Sequence, residues 1–384
     1  MSSSALDILE RLVSFRSVSH CPNLDIADYI AFLAKAAGGE VRRFPSVNFQ
    51  KESLLLSWGE PKAGGVVLSG HMDVVPVDNQ AWASDPFKLR RADHMLFARG
   101  AVDMKSFLAI AVSVATSIDA SKLSAPLHLA LSYDEEVSCE GVKPLAAFLR
   151  DSVPTPAVVI VGEPTELRTV VAHKGAVDWR VLVRGRAAHS SLPQLGTNAI
   201  HAAARFVCEV DRLSQKFIGT PRESSAPFDI PYPTLSVGLI GGGTAGNIIA
   251  SSCQLHLEAR TIFAEDDWGI RDHLSRFAKS ELLPSMREVA PEADISIEEL
   301  ARIPPLVRHE DSAAELLVTQ AMESRSVEAV SYATEAGFFQ SAGIATVVCG
   351  PGSIKQAHQP NEFITIDQFE KGQRFISQIV KNLS

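Results

Sequence analysis

His71 and Asp73 stand one residue apart, just after the apolar run Val66-Val67-Leu68. That run is rich in β-branched residues and predicts a buried strand, which Ser69 and Gly70 close. In open α/β sheets, ligands collect outside the carboxyl ends of strands. An imidazole there can ligate a metal, and Asp73 can hold the ring's second nitrogen. Four further signals occupy strand ends or loops: Asp103, the pair Glu135-Glu136, Glu163 and, in the last loop, His358. Adjacent carboxylates repel each other and are costly to bury unpaired, and a dication offsets that cost. Two histidines with three or four carboxylates suit two divalent ions, a bridging carboxylate and open positions for water. Each residue alone has a blander use. Asp103 suits a helix N-cap, Glu163 before Pro164 a turn, His358 an exposed loop and Glu135-Glu136 a solvated acidic patch. Joint placement makes the metal reading specific.

The elements that must position these groups alternate between strand and helix. Leu6 to Phe15 and Asp25 to Ala37 show helical spacing. Strand-like runs follow at Glu40 to Phe44 and Ser53 to Trp58, then at the strand before His71. An apolar helix is predicted from Lys105 to about Ile118. A strand at Leu127 to Tyr133, a helix at Gly141 to Arg150 and a strand at Val158 to Val161 complete an α/β pattern with a largely parallel sheet. Past Asp178 the pattern changes. Strands at Ala176 to Val183, Thr234 to Ile240, Ser252 to Phe263 and Ala293 to Leu300 are interleaved with helices at Thr197 to Leu213 and Asp267 to Leu282. This β-α-β-β-α-β order is that of a ferredoxin-like sandwich. Pro304-Pro305 mark the return to the first domain. A helix (Ser312 to Met322), a helix start after Thr334, a strand (Ala345 to Cys349) and a closing helix (Asp367 to Leu383) end the chain. The expected domains are therefore 1–177 with 303–384, and an inserted 178–302.

The chain has 384 residues, long enough for two cores. Its net charge of −9 argues against general binding to nucleic acid or an anionic membrane. It contains no apolar run of about 18 residues and no basic-then-apolar leader pattern, so the expectation is a cytoplasmic protein. Five scattered cysteines without a Cys-x-x-Cys argue against a disulfide framework or a thiolate zinc site.

Ser69-Gly70-His71-Met72-Asp73-Val74-Val75-Pro76, Ala98-Arg99-Gly100-Ala101-Val102-Asp103-Met104-Lys105, Asp134-Glu135-Glu136, Gly162-Glu163-Pro164-Thr165 and Ala188-His189-Ser190-Ser191 resemble the two-metal aminoacylase and carboxypeptidase family. The resemblance runs to Gln356-Ala357-His358-Gln359-Pro360-Asn361-Glu362-Phe363. Tyr332 to Gly337 and Cys349 to Ser353 are most similar to the branch that deacetylates N-acetylornithine. The implied fold is a zinc-peptidase-like three-layer α/β/α catalytic domain with an inserted ferredoxin-like dimerisation or lid domain. The implied cofactors are two divalent ions, zinc with cobalt as the alternative. His71, Asp103 and Glu163 would hold one ion, and Asp103, Glu136 and His358 the other. Glu135 would be the general base, and the peptide between Asp103 and Met104 would be cis. His189 would enter the site of a partner subunit in a homodimer and stabilise the oxyanion; unaided, it reads as an exposed loop histidine. Asn247 and Arg260 would line the site, Arg260 facing a substrate carboxylate. Gly350, Gly352 and Ser353 could add N–H donors, or form a simple turn. Glu335 is the candidate anion for the ornithine amine, its alternative being helix capping beside Thr334. Ala250 stands where the family often has proline, and Glu258-Ala259-Arg260 replaces a frequent Asp-x-Arg. The expected reaction is hydrolysis of an N-acyl amino acid, N2-acetylornithine first. Succinyl-diaminopimelate, acetylcitrulline or a dipeptide are the alternatives, and a non-catalytic binding protein is the rival from another class.

Overall fold

Alternate residues of the central strands face opposite sides of the sheet, and both sides are buried. Leu68, Leu129, Ile160 and Val347 join one large apolar core, while Val67, Ala130 and Val159 on the other side are as fully buried. Strands covered on both faces need helices on both faces. The computed structural model of the chain, which describes residues 4–151, 154–221 and 227–383, shows that arrangement. Residues 222–226, in the Pro- and Ser-rich stretch between Gly219 and Pro233, lie outside the described residues.

The strands, in chain order, are β1 (Glu40–Pro45), β2 (Glu52–Trp58), β3 (Val66–His71), β4 (Arg90–Ala92), β5 (Met95–Phe97), β6 (Leu127–Ser132), β7 (Val158–Pro164), β8 (Thr169–His173), β9 (Gly175–Arg184), β10 (Thr234–Gly242), β11 (Ser252–Thr261), β12 (Asp294–Ile303), β13 (Val327–Val330), β14 (Ala345–Gly350) and β15 (Phe363–Thr365). The helices are α1 (Ala5–Ser14), α2 (Leu24–Ala36), α3 (Ser106–Ala115), α4 (Val142–Asp151), α5 (Ala199–Ile218), α6 (Ala264–Phe277), α7 (Leu283–Val289), α8 (Ala313–Ala321), α9 (Ala336–Ser341) and α10 (Ile366–Lys381).

The chain divides into two compact units: residues 1–172, 308–329 and 334–384, and residues 173–307 with 330–333. The first holds an eight-stranded sheet in the order β1-β2-β6-β3-β7-β14-β8-β13. Its centre, β6-β3-β7-β14, is parallel, and antiparallel pairs flank it. Helices α1, α2, α3, α8 and α10 contribute to the large core on one face; α4 and α9 pack on β2, β6, β7 and β14. Strands β15, β5 and β4 form a small second sheet. The second unit is a four-stranded antiparallel sheet, β10-β11-β9-β12, with α5, α6 and α7 over one face. No helix among the described residues is long and apolar enough to cross a membrane.

Sequence periodicity missed the short strands β4, β5, β8, β13 and β15. The helix expected over Asp267 to Leu282 also differs: α6 ends at Phe277, a wider turn spans Ala278–Leu282, and α7 restarts with Pro284 in its first turn. Proline has no N–H to donate and so suits a helix start.

Two buried histidines couple the fold to pH. On β6, His128 sets Nδ1 2.8 Å from the Ser57 hydroxyl, and burial pushes its pKa down from 6.5 to about 4. Burial, with the charge of Arg260, pushes His173 down to about 4 as well. Between pH 6.5 and 4 the unfolded chain binds protons that these folded groups refuse. Stability is therefore lost as pH falls through that window, by on the order of 2 kcal/mol per group near pH 5. Urea unfolding should show a lower midpoint at pH 5 than at pH 7, and His128→Gln should narrow the gap. A gap unchanged in that variant would remove His128 from the account.

Candidate metal centre

The parallel strands deliver the chemistry at their carboxyl ends. His71 is the last residue of β3, Glu163 lies near the end of β7, and Glu135-Glu136 follow β6 in the loop before α4. Asp103 sits in the turn between β5 and α3, with non-helical φ −121° and ψ 94° and a cis peptide to Met104. Asp103 is central. Its Oδ1 is 3.0 Å from His71 Nε2 and its Oδ2 3.3 Å from His358 Nε2. His358 Nε2 is also 3.0 Å from Glu136 Oε2, and His71 Nε2 is 3.7 Å from Glu163 Oε1. Ligand atoms of His71, Asp103 and Glu136 lie within 4.8 Å of one another, as do those of His71, Glu135 and Glu163.

The electrostatics suit a bound cation. Burial raises Glu135 and Glu163 well above the usual carboxylate range, and repulsion from Asp103 adds to both. Glu136 is raised by burial and by Asp103. Burial works against the charged form of His71, yet the Asp103 bond and the charges of Glu163 and Glu135 raise its pKa. Hydrogen bonds to Asp103 and Glu136 push His358 up to about 10. Glu163 Oε1 is buried with no hydrogen-bond partner among the described residues. Crowded, buried, under-paired carboxylates beside two imidazoles are a donor set suited to hard or borderline dications.

Residues that the motifs contain, but whose work sequence reasoning missed, hold this set in place. The His71 Nδ1 meets the carbonyl of Asp73 at 2.9 Å, and the Asp73 carboxylate only at 3.6 Å. That carboxylate instead accepts the N–H groups of Glu135 (3.2 Å) and Glu136 (3.4 Å) and the Ser19 hydroxyl (2.7 Å). Lys51 ties the Ser19 carbonyl to Asp134, fixing the same loop from the far side. Glu362 accepts the N–H groups of Val102 (2.9 Å) and Asp103 (3.2 Å) and pairs with Arg99 at 2.6 Å. Arg99 reaches Gln80 at 2.7 Å and the carbonyls of Pro76 and Gln359 at 3.4 Å. The signal for Arg99 and Glu362 was a charged residue inside each of two ligand-bearing motifs.

The remaining predicted residues are placed differently. Glu335 is fully buried, and its two oxygens accept the hydroxyls of Ser69 (2.5 Å) and Ser132 (2.7 Å). A carboxylate enclosed in this way does not present itself to a substrate amine, so the substrate role expected for Glu335 is withdrawn. Gly350 N–H donates to Thr165 Oγ1 at 3.2 Å and Gly352 N–H to Gln368 Oε1 at 3.1 Å. The N–H groups of Gly350 and Gly352, two of the three expected donors, are thus already engaged. Gly350 serves close packing: a Cβ there would lie 2.0 Å from the Gly162 carbonyl oxygen. Ser353 bridges Thr165. In the second unit His189 is exposed, takes the Ser191 hydroxyl at 2.7 Å on Nδ1 and bridges Ile248, next to Asn247. The Asn247 carbonyl accepts Ser190 N–H at 3.0 Å, and Arg260 pairs with Glu258.

Buried carboxylates and imidazoles converging on the strand ends of an α/β sheet define a metal-competent hydrolase site. Residues 67–382 match Peptidase family M20/M25/M40, and the chain belongs to that family. It is 35% identical over 334 residues to the acetylornithine deacetylase of Pasteurella multocida, covering 86% of this chain and 83% of that one. It is 32% identical over 385 residues to the acetylornithine deacetylase of Photorhabdus laumondii, covering 98% and 96%. In fold it is similar to the crystal structure of aminopeptidase PepT from Bacillus cereus, with a TM-score of 0.75 at 18% identity, covering 100% of this chain and 99% of that one.

Proposed function

We propose that the chain is a zinc-dependent amidohydrolase that converts N2-acetyl-L-ornithine to L-ornithine and acetate. The observation that carries the reaction class is Asp103, with one carboxylate oxygen toward each imidazole and further carboxylates on both flanks. The choice of substrate rests on the deacetylases it resembles across most of their length.

His71, Asp103 and Glu163 would hold one ion and Asp103, Glu136 and His358 the second, with Asp103 shared. Bound there, the ions supply Lewis acidity to the amide carbonyl. Glu135 accepts the proton of the attacking water and returns it to the nitrogen as the C–N bond breaks. His189 of a second copy donates to the developing oxyanion, which makes the enzyme a homodimer. Arg260 takes the α-carboxylate, and Asn247 lines the site.

Amine release across a panel of N-acyl amino acids tests the substrate. Acetylornithine should give the highest kcat/KM, and a higher value for succinyl-diaminopimelate or a dipeptide would replace it. Mixing His189→Ala with Glu135→Gln subunits tests the dimer. Regained activity is expected, because some sites then combine both intact groups. No regain after confirmed subunit exchange would place a complete site within one chain.

A further inference from the structure

Glu335 takes no part in the proposed reaction, yet its carboxylate is held beside the centre. Residues two apart on a strand share a face, so Ser69 lies on the same face of β3 as His71. Ser132 pairs directly with His71 across the β3–β6 ladder. The hydroxyls of both serines donate to Glu335, one to each oxygen, at 2.5 and 2.7 Å. All three side chains are fully buried. The carboxylate is thus clamped between the residue two before His71 and the residue opposite it, from the start of α9. A buried carboxylate is expensive unless its charge is compensated, and two neutral hydroxyls compensate it weakly.

We propose that Glu335 is a positioning residue for the metal centre: clamped by Ser69 and Ser132, it fixes the strand ends that carry His71 and Glu135-Glu136 and sets a buried negative charge behind the cations. This rests on the two-metal reading above. Residues behind the ligands commonly carry 10–100-fold of metal affinity, about the size expected here.

The test is calorimetric titration of zinc chloride into chelator-stripped protein, with the melting temperature of the stripped protein measured in parallel. Glu335→Gln keeps the shape and one acceptor oxygen but removes the charge. It should weaken zinc binding about 10–100-fold while the stripped protein melts no lower than wild type. A purely structural residue would show the reverse, a lower melting temperature with affinity intact. Zinc affinity within about twofold of wild type, against the larger loss that such residues carry, would overturn the proposal. If Glu335→Gln fails to fold, Ser69→Ala and Ser132→Ala replace it. Each should weaken zinc binding several-fold, and no change in either would overturn the clamp. A wild-type protein that takes up no zinc would overturn the two-metal reading and this inference together; wild-type uptake with indifferent variants would overturn this inference alone.

Discussion

Glu135→Gln should retain metal and lose about 10²–10⁴-fold in kcat with little change in KM, the usual range for removing a general base. The geometry makes this a sharp choice between two roles. An oxygen of Glu135 lies close enough to a ring nitrogen of His71 and a carboxylate oxygen of Glu163 to complete a ligand group with them, so it could be a ligand rather than a base. Its neighbour Glu136 is the one in contact with His358, at 3.0 Å. Burial, together with repulsion from Glu136 and Asp103, raises the affinity of Glu135 for a proton. The loop that carries it is pinned by Asp73 through two backbone N–H groups, so the amide variant should sit where the acid sat. Metal content by elemental analysis and steady-state kinetics on the same preparation decide the matter. Full metal with low turnover is the expected result. Lost metal would make Glu135 a ligand, and near-normal turnover would remove it from the reaction. Glu136→Gln is the contrasting variant and should lose metal.

The ligand candidates were legible because each sits at a place where sequence pattern and chemistry coincide. His71 ends an apolar run, Glu163 ends another, and Glu135-Glu136 end a third. The alternating elements then dictate that these ends meet along one edge of a parallel sheet. The ferredoxin-like order was legible for the same reason, since long strands and helices carry strong periodicity. The supporting shell was not legible. Asp73 looked like the partner of the His71 ring, but its carboxylate mainly serves the backbone of residues 135 and 136. Sequence spacing cannot show which loop a carboxylate faces. Glu335 looked like a specificity residue because the family resemblance places its loop near the site and an ornithine amine needs an anion, yet two serines from different strands enclose it. Gly350 looked like a donor in a ligand loop, and instead it permits β14 to approach Gly162. Each of these depends on contacts between residues far apart in the chain, which local pattern does not encode.

Arg99→Met should cost about 3–5 kcal/mol of folding stability, the range for stranding one partner of a buried ion pair. Arg99 and Glu362 are each 1% exposed and lie 2.6 Å apart. Without the guanidinium, Glu362 keeps only the N–H groups of Val102 and Asp103 against the cost of burial, which with Arg99 present already raises its pKa to about 7. The loss reaches the centre because the pair ties three loops together. Arg99 binds the Pro76 carbonyl and the Gln80 side chain beyond His71, and the Gln359 carbonyl beside His358, while Glu362 holds the backbone of Asp103. Glu362→Gln should cost less, since its amide oxygen can still accept an N–H and Arg99 keeps Gln80 and two carbonyls. The double variant Arg99→Met/Glu362→Gln leaves no stranded charge, so its cost should fall below the sum of the singles. Urea unfolding of the metal-stripped proteins measures all three, and zinc titration should show weaker uptake in Arg99→Met than in Glu362→Gln. Strictly additive single and double costs would mean that the two side chains act separately, and unchanged zinc uptake in Arg99→Met would mean that the three loops hold their ligands without this pair.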